Sequence, residues 1–377
     1  MAQKYRTEKW EMSYDVETAF GQAPTLGMTA NRLLGVFQEA SLPNPKFNYQ
    51  FIWGMNPAKR SWYTVYKGKA ESSGSISNII LLDGRALYLP IANVITHTGS
   101  AAPYTHTINE TISLPSFRLV ATNIGDNEDT AGVPPANPDY LSRWFVGGKI
   151  NSASFHCEEG DMLKMDISAL FKMLYYDAVP TPPQVTGWWD TDANRQTITA
   201  SDFCGDPYYF SQCVITAKIP ILGMASTTIN TIKTFKLEVN NNLEPKYYLS
   251  TQPEKVPYEI WEGKREYTMN LVVDLVDAED GVFTKNTPLL ELLNQGGSPL
   301  TGAAFKIAFT RVDGSSITFE TPADYNPSCA GDDQGCIIIG APMNIGGTGV
   351  ISVPMDIKCR SLKITVVDSY PSTAYPV

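Results

Sequence analysis

Short runs of alternating apolar and polar residues recur along the chain. The first half carries WYTVYKG (62–68), ISNIILL (76–82), ISLPSFRLVA (112–121), INSASFHC (150–157) and MLKMDISALF (162–171). The second carries CVITAKIPIL (213–222), FKLEVN (235–240), YEIWEG (258–263), MNLVVDLV (269–276), FKIAFTRV (305–312), GVISVPMDI (349–357) and SLKITVVD (361–368). Each is short, has period-two character and is bounded by turn residues, so each predicts a strand. Helical signals are few. TPLLELLNQGG (287–297) offers Thr287 as a cap, Pro288 at the first helical position and Gly296 at the stop. RALYLPIANV, after Asp83-Gly84, is a second candidate that Pro90 keeps short.

A repeat organises these elements. L-P-N-P-K-F-N-Y (42–49), N-P-A-K (56–59) and Y-T-V-Y-K-G-K (63–69) are followed in the second half by N-L-E-P-K-Y-Y-L (242–249), Q-P-E-K (252–255) and Y-E-I-W-E-G-K (258–264). Pro45-Lys46 matches Pro245-Lys246, and Gly68-Lys69 matches Gly263-Lys264. Each copy continues into an apolar strand, an Asp-Gly pair (Asp83-Gly84 or Asp280-Gly281) and a helix candidate. The pattern predicts two tandem β-sandwich domains, 1–176 and 213–377, each flanked by a short helix. Residues 177–212, rich in Pro, Gly and aromatics, read as the connection between them.

Composition supports an all-β chain with few helices. Of 377 residues 43% are apolar, 11% aromatic and only 18% charged, with 28 Gly and 26 Pro. The net charge of −10 comes without a Lys/Arg run, so the basic stripe needed to grip DNA phosphates is missing. No apolar stretch approaches the roughly 20 residues of a membrane span. The first twenty residues contain no apolar signal core, which predicts synthesis and use in the cytoplasm. Cys204/Cys213 and Cys329/Cys336 bracket short loops and could close disulfides, but free thiols are the expectation in that compartment.

Candidate chemistry is sparse. His106 precedes Glu110 by four residues without a second histidine at metal-ligand spacing. His156-Cys157-Glu158-Glu159 sets two carboxylates beside a thiol, which opposes thiolate formation. The acidic stretches at 126–129 and 277–281 lack calcium-loop spacing, and phosphate-cradling loops and nucleophile elbows do not occur. No catalytic, cofactor-binding or metal residue is assigned, and no cofactor is expected.

Several segments together resemble the phage tail tube proteins: Y-D-V-E-T-A-F-G-Q-A-P-T (14–25) with R-L-L-G-V-F (32–37), T-H-T-I-N-E-T (105–111) with L-P-S-F-R-L (114–119), and F-V-G-G-K-I-N-S-A-S-F-H-C-E-E-G-D-M-L-K-M-D-I (145–167). The resemblance implies a non-enzymatic β-sandwich subunit that forms rings with an inner β-barrel, stacked into a conduit for viral DNA. It also implies a virion-tail location after assembly in the host cytoplasm, and contacts with tape measure, terminator and baseplate proteins. DNA would pass without specific binding. Combined with the repeat, it predicts three chains per ring with pseudo-sixfold symmetry, or a six-chain ring if the repeat is not structural. Alternate residues of 63–71 and 258–266 should then face the lumen, giving Lys67, Lys69, Glu71, Glu262, Lys264 and Glu266 as candidates. Three alternatives remain: a distal tail or baseplate ring protein of the same fold, a carbohydrate-binding or carbohydrate-hydrolysing β-sandwich using Trp188, Trp189, Tyr208 and Tyr209, and a capsid or decoration protein.

Overall fold

The computed structural model describes residues 5–21, 32–34, 36, 39–53, 62–125, 140–176, 205–219, 224–229, 231–248, 256–274, 302–322, 335–342 and 351–375. In the first half the strands are β1 (Tyr5–Val16), β2 (Arg32–Leu33), β3 (Glu39–Trp53), β4 (Trp62–Ile80), β5 (Ile95–Thr98), β6 (Tyr104–Asn109), β7 (Phe117–Gly125), β8 (Tyr140–Glu158), β9 (Lys164–Phe171) and β10 (Met173–Tyr176). The second half contributes β11 (Cys213–Ile219), β12 (Met224–Thr228), β13 (Ile232–Asn240), β14 (Glu244–Lys246), β15 (Glu259–Trp261), β16 (Glu266–Asp274), β17 (Ala304–Thr310), β18 (Ser316–Thr321), β19 (Ile337–Gly340), β20 (Ser352–Cys359) and β21 (Lys363–Asp368). The chain is all-β with few helical turns, as its alternation predicts.

The helix expected after Asp83-Gly84 is not formed. Residues 84–92 make successive tight turns instead, with Leu87 N–H donating to Gly84 O, Leu89 to Ala86 and Ile91 to Tyr88. Ala86, Leu87, Tyr88, Leu89, Ile91 and Ala92 are all buried. A segment enclosed on every side gains nothing from the one-faced geometry of a surface helix, and Pro90 has no N–H to donate. The other helix candidate, 287–297, lies outside the described residues, as do 177–204 of the expected connection.

The pairing order repeats. In the first half β2-β1-β7-β8-β10 and β3-β4-β9-β8 are runs of neighbours; in the second, β12-β11-β17-β18-β21 and β13-β16-β20-β19 are. All these pairings are antiparallel. Strand β8 serves both first-half runs. Its residues up to 148 face β7 and β10, and those from 149 onward face β9 and β13. Gly147, at φ +64°, and Gly148, whose added Cβ would lie 2.5 Å from the Phe171 ring, make this corner. Where the first half turns one strand, the second uses two, β18 and β19.

Two seams join the halves. β8 pairs with β13, so β3-β4-β9-β8-β13-β16-β20-β19 is one continuous sheet. β6 pairs with β21, so the β5–β6 hairpin of the first half extends the smaller sheet of the second. The core crosses the same boundary. Phe155 on β8 packs on Phe319 of β18 with ring centres 5.1 Å apart, and Phe319 also meets Phe235 of β13 at 5.9 Å. In the first half Phe171 takes Phe117 and Phe145 at 5.6 and 5.5 Å. The alternation of β9, β16, β18 and β21 is strict, every second residue buried, as one apolar sheet face demands.

Candidate functional site

Because one face of the large sheet fills the core, the other presents every intervening residue to solvent, and register places these in rows across the strands. One row runs Ser75–Ser168–Ser152–Asn240–Glu266 from β4 to β16. The next runs Asp166–Ser154–Glu238–Thr268–Lys358 from β9 to β20. A third runs Lys164–His156–Lys236–Asn270–Asp356. The result is a broad wall of hydroxyls, amides and charges, without a large aromatic in these rows.

The charges on this wall are matched to neighbours. Lys236 meets Glu238 at 2.5 Å, Lys233 meets Asp274 at 2.9 Å and Lys358 approaches Glu266 at 3.9 Å. Asp166 accepts from the Asn78 backbone N–H at 2.7 Å, and Asp356 accepts from the Asn270 amide at 2.7 Å. Lys164 holds Asp161 at 2.6 Å, and this bond keeps the Asp161 carboxyl below its ordinary range. From β8 to β20, Glu158, Asp166, Glu238, Glu266, Asp274 and Asp356 stand against Lys164, Lys233, Lys236 and Lys358, and Lys46, Lys69 and Glu71 continue the face on β3 and β4. Both signs are thus interspersed, and exposed pairs of this kind add little stability each.

The six sequence candidates fall in different settings. Glu71 continues the exposed face of Ser73, Ser75 and Ser77, and Lys69 pairs with it at 2.8 Å. Glu266 lies on the wall, and Lys264 beside it is 82% exposed. Lys67 sits on β4 opposite Tyr49. Glu262 is turned the other way: it takes Lys149 Nζ at 2.6 Å and the Leu114 N–H at 3.2 Å. Residues 258–266 are not one strand, since 262–265 form an irregular link between β15 and β16, and alternation does not carry across it. Gly68 lies within β4 and Gly263 in that link, and a Cβ added at either would meet the backbone oxygen of an asparagine, Asn48 or Asn242. Missed by the sequence reading were the serines at the middle of the wall, although their alternation with Ala153, Phe155, Ile167 and Ala169 was visible.

Elsewhere the polar clusters are structural. His106 is fully buried, its Nδ1 2.7 Å from His97 Nδ1 and its Nε2 near Asp368 at 3.2 Å and Tyr370 O at 3.0 Å. The Tyr375 hydroxyl donates to Asp368 at 2.5 Å, and its ring stacks on His106 at 3.9 Å. This network closes the β6–β21 seam. Glu110 instead faces Arg265 at 3.4 Å. Burial pushes the thiols of Cys157 and Cys213 up to about 12. The four described cysteines, 157, 213, 336 and 359, are free, and Cys204 and Cys329 lie outside the described residues. Among the described residues no group of three or more His, Cys, Asp or Glu could hold a metal, and no helix is long and apolar enough to cross a membrane. Tyr208 is buried under the Arg311 guanidinium, 4.7 Å from its ring centre, so it is no exposed sugar platform; Tyr209 is exposed, and Trp188 and Trp189 lie outside the described residues. A surface depression of about 290 Å³ beside Lys306 and Lys363 has its one carboxylate, Glu320, paired to both lysines.

A wide sheet with a polar face, buried thiols and paired surface charges together describe a building block whose business is its surface. Comparison places it: the chain belongs to the phage tail tube protein family, whose model matches residues 66–359, more than half its length. It is thus a structural component of a phage tail, with the non-enzymatic role that family implies. No curated protein matches the chain.

Proposed function

We propose that this chain is the major tail tube subunit and that three copies close a ring of pseudo-sixfold symmetry. The carrying observation is the repeated pairing order, β3-β4-β9-β8 answered by β13-β16-β20-β19 in one continuous sheet. On this reading 1–176 and 213–377 are two copies of one tube domain joined through 177–212. Each chain supplies two sectors and eight strands of wall, so three chains supply 24. At a strand spacing of about 4.8 Å the wall would be roughly 37 Å across untilted and roughly 48 Å at a tilt of ~40°, wide enough for a DNA duplex.

The polar rows would line this lumen, with Lys69, Glu71, Lys264 and Glu266 beside them. Glu262 leaves the candidate set because Lys149 holds it. A wall of neutral hydroxyls whose lysines stand beside carboxylates gives DNA few free cations with which to exchange counterions, so the duplex slides without sticking. Rings stack head to tail, a heterologous contact that propagates rather than closes. Tape measure, terminator and baseplate proteins would meet the tube inside and at its ends, and assembly would take place in the host cytoplasm.

Electron microscopy of the purified protein tests this. The expected result is long tubes whose end-on averages show three repeats, each with two unequal lobes. Isolated rings that never stack would favour the distal tail or baseplate reading. Tubes with six identical chains per ring would overturn the trimer.

A further inference from the structure

Two buried thiols stand side by side where the sheets of the second half meet. Strands β19 and β20 pair antiparallel, Ile337 opposite Lys358 and Ile338 opposite Ile357. One step outward, the same register sets Cys336 opposite Cys359. Both are buried, as are Ile338 and Ile357 two residues along on the same face. The backbone of Cys336 is turned away from β20: its N–H donates to Ala303 O at 2.6 Å, and its carbonyl accepts from the Ala303 N–H at 2.8 Å. Cys336 and Cys359 are therefore a non-hydrogen-bonded cross-strand pair. In such a pair the Cα atoms stand about 4.5 Å apart and the side chains approach most closely. That separation is within the roughly 4.4–6.8 Å that a disulfide spans.

The surroundings hold the pair in place. Gly302 and Gly335 let two backbones cross: a Cβ on Gly302 would lie 2.4 Å from Gly335 N, and one on Gly335 would lie 2.4 Å from Ala303 O. Ala303 leads directly into β17 of the smaller sheet, so at Cys336 the large sheet reaches the smaller one. Thr321, at the end of β18, adds its hydroxyl 3.3 Å from Cys336 Sγ and donates to Ser361 O at 2.8 Å. The two thiols are not alike. Cys336 is fully enclosed, whereas Cys359 keeps 7% of its surface open at the end of β20. Burial pushes the Cys336 thiol up, while the adjoining Cys336 thiol pulls Cys359 below the ordinary thiol range. The more accessible sulfur is thus also the one more readily ionised.

We propose that Cys336 and Cys359 are a redox site, which hydrogen peroxide closes to a disulfide. The Cys359 thiolate attacks one peroxide oxygen, the O–O bond breaks, and hydroxide leaves to become water with the thiol's proton. Cys359 is then a sulfenic acid. The Cys336 sulfur attacks that sulfur, the S–O bond breaks, and the hydroxyl departs with the Cys336 proton as a second water. Two thiols and one hydrogen peroxide give one disulfide and two waters. The new bond closes the interval 337–358 and fastens β20 to the segment that enters β17, so it clasps the two sheets together. It lies within one chain and stands apart from the ring reading above.

Peptide mapping reads the bond directly. Freshly reduced full-length protein is exposed to hydrogen peroxide, denatured, alkylated and cut before its aspartates. Cleavage at Asp332 and Asp333 parts Cys329 from Cys336, and cleavage at Asp356 parts Cys336 from Cys359. The expected product is the Cys336 peptide joined to the Cys359 peptide, lighter by two hydrogens than the reduced pair and restored by a reductant. In the same unaltered protein, oxidation should slow exchange of the 337–340 amides roughly tenfold or more, because the closed loop has fewer open states. Cys336→Ala should leave Cys359 as a sulfenic acid that dimedone labels, and Cys359→Ala should show neither label nor link. Both thiols still alkylated after prolonged exposure, or Cys336 joined to Cys329 or to another chain, would overturn the proposal and leave the tube function standing.

Discussion

Replacing Phe319 by alanine probes whether the halves share one core. The ring is fully buried and touches Phe155 from the first half and Phe235 from the second, at 5.1 and 5.9 Å. Truncating a buried Phe costs about 3–5 kcal/mol, and loss of two tilted aromatic contacts places this site toward the top, about 4–5 kcal/mol. Phe155 and Phe235 lie on the paired strands β8 and β13, so the cavity opens against the first half as well as the second. Urea unfolding followed by hydrogen exchange should show β9 and β16 losing protection together, at a midpoint lowered in step. Phe319→Leu, which keeps most of the volume, should lose less than half as much. If β16 lost protection while β9 kept its original midpoint, the halves would be independent units, and the single-core account would be refuted.

Other substitutions test the seam, the corner and the wall. Lys149→Ala strands the half-buried Glu262 and the Ile260 carbonyl it holds at 3.0 Å, and should cost about 2–3 kcal/mol in chemical denaturation. Gly148→Val forces a side chain into Phe171 and the Phe117 carbonyl, and should cost at least about 2 kcal/mol or abolish soluble expression. His97 is held below its ordinary 6.5 by burial, then by His106, so the unfolded chain binds its proton more readily. The stability it contributes is complete above pH 6.5 and is lost as pH falls through the lower folded value; His97→Gln should flatten the decline in urea midpoint between pH 7.5 and 5.5. Ser154→Lys with Ser168→Lys would add six cations per three-chain ring, and tubes so altered should retain DNA at low salt and release it as salt rises.

How much of this was legible in the sequence depends on the range of the interaction concerned. The strands at 235–240, 269–274 and 361–368 announce themselves because each has one face in the core and a strict period of two. The turns at 84–92 misled because an entirely buried segment carries no periodicity to distinguish it from a helix. Strand parity does not carry through 262–265 to Glu262, and its partner Lys149 is 113 residues away. Cysteine spacing pointed to local loops, yet the Cys336 thiol donates to the Thr321 carbonyl, 15 residues away. The repeat read around Pro45 and Pro245 uses short local phrases, whereas the recurring pairing order joins strands far apart in the chain and cannot be read from any one phrase.

The hairpin that the first half lends to the second, β5–β6 beside β21, has a consequence for how such a chain can change. With that loan in place the halves are no longer exchangeable parts. In the ring proposed above, a substitution in either half would strike alternate sectors, three in six, where a protein made of single domains would be struck in all of them. Each half is thereby free to drift toward its own role, one outward ornament here and one contact arm there, provided the strand it lends and the strand it borrows continue to fit.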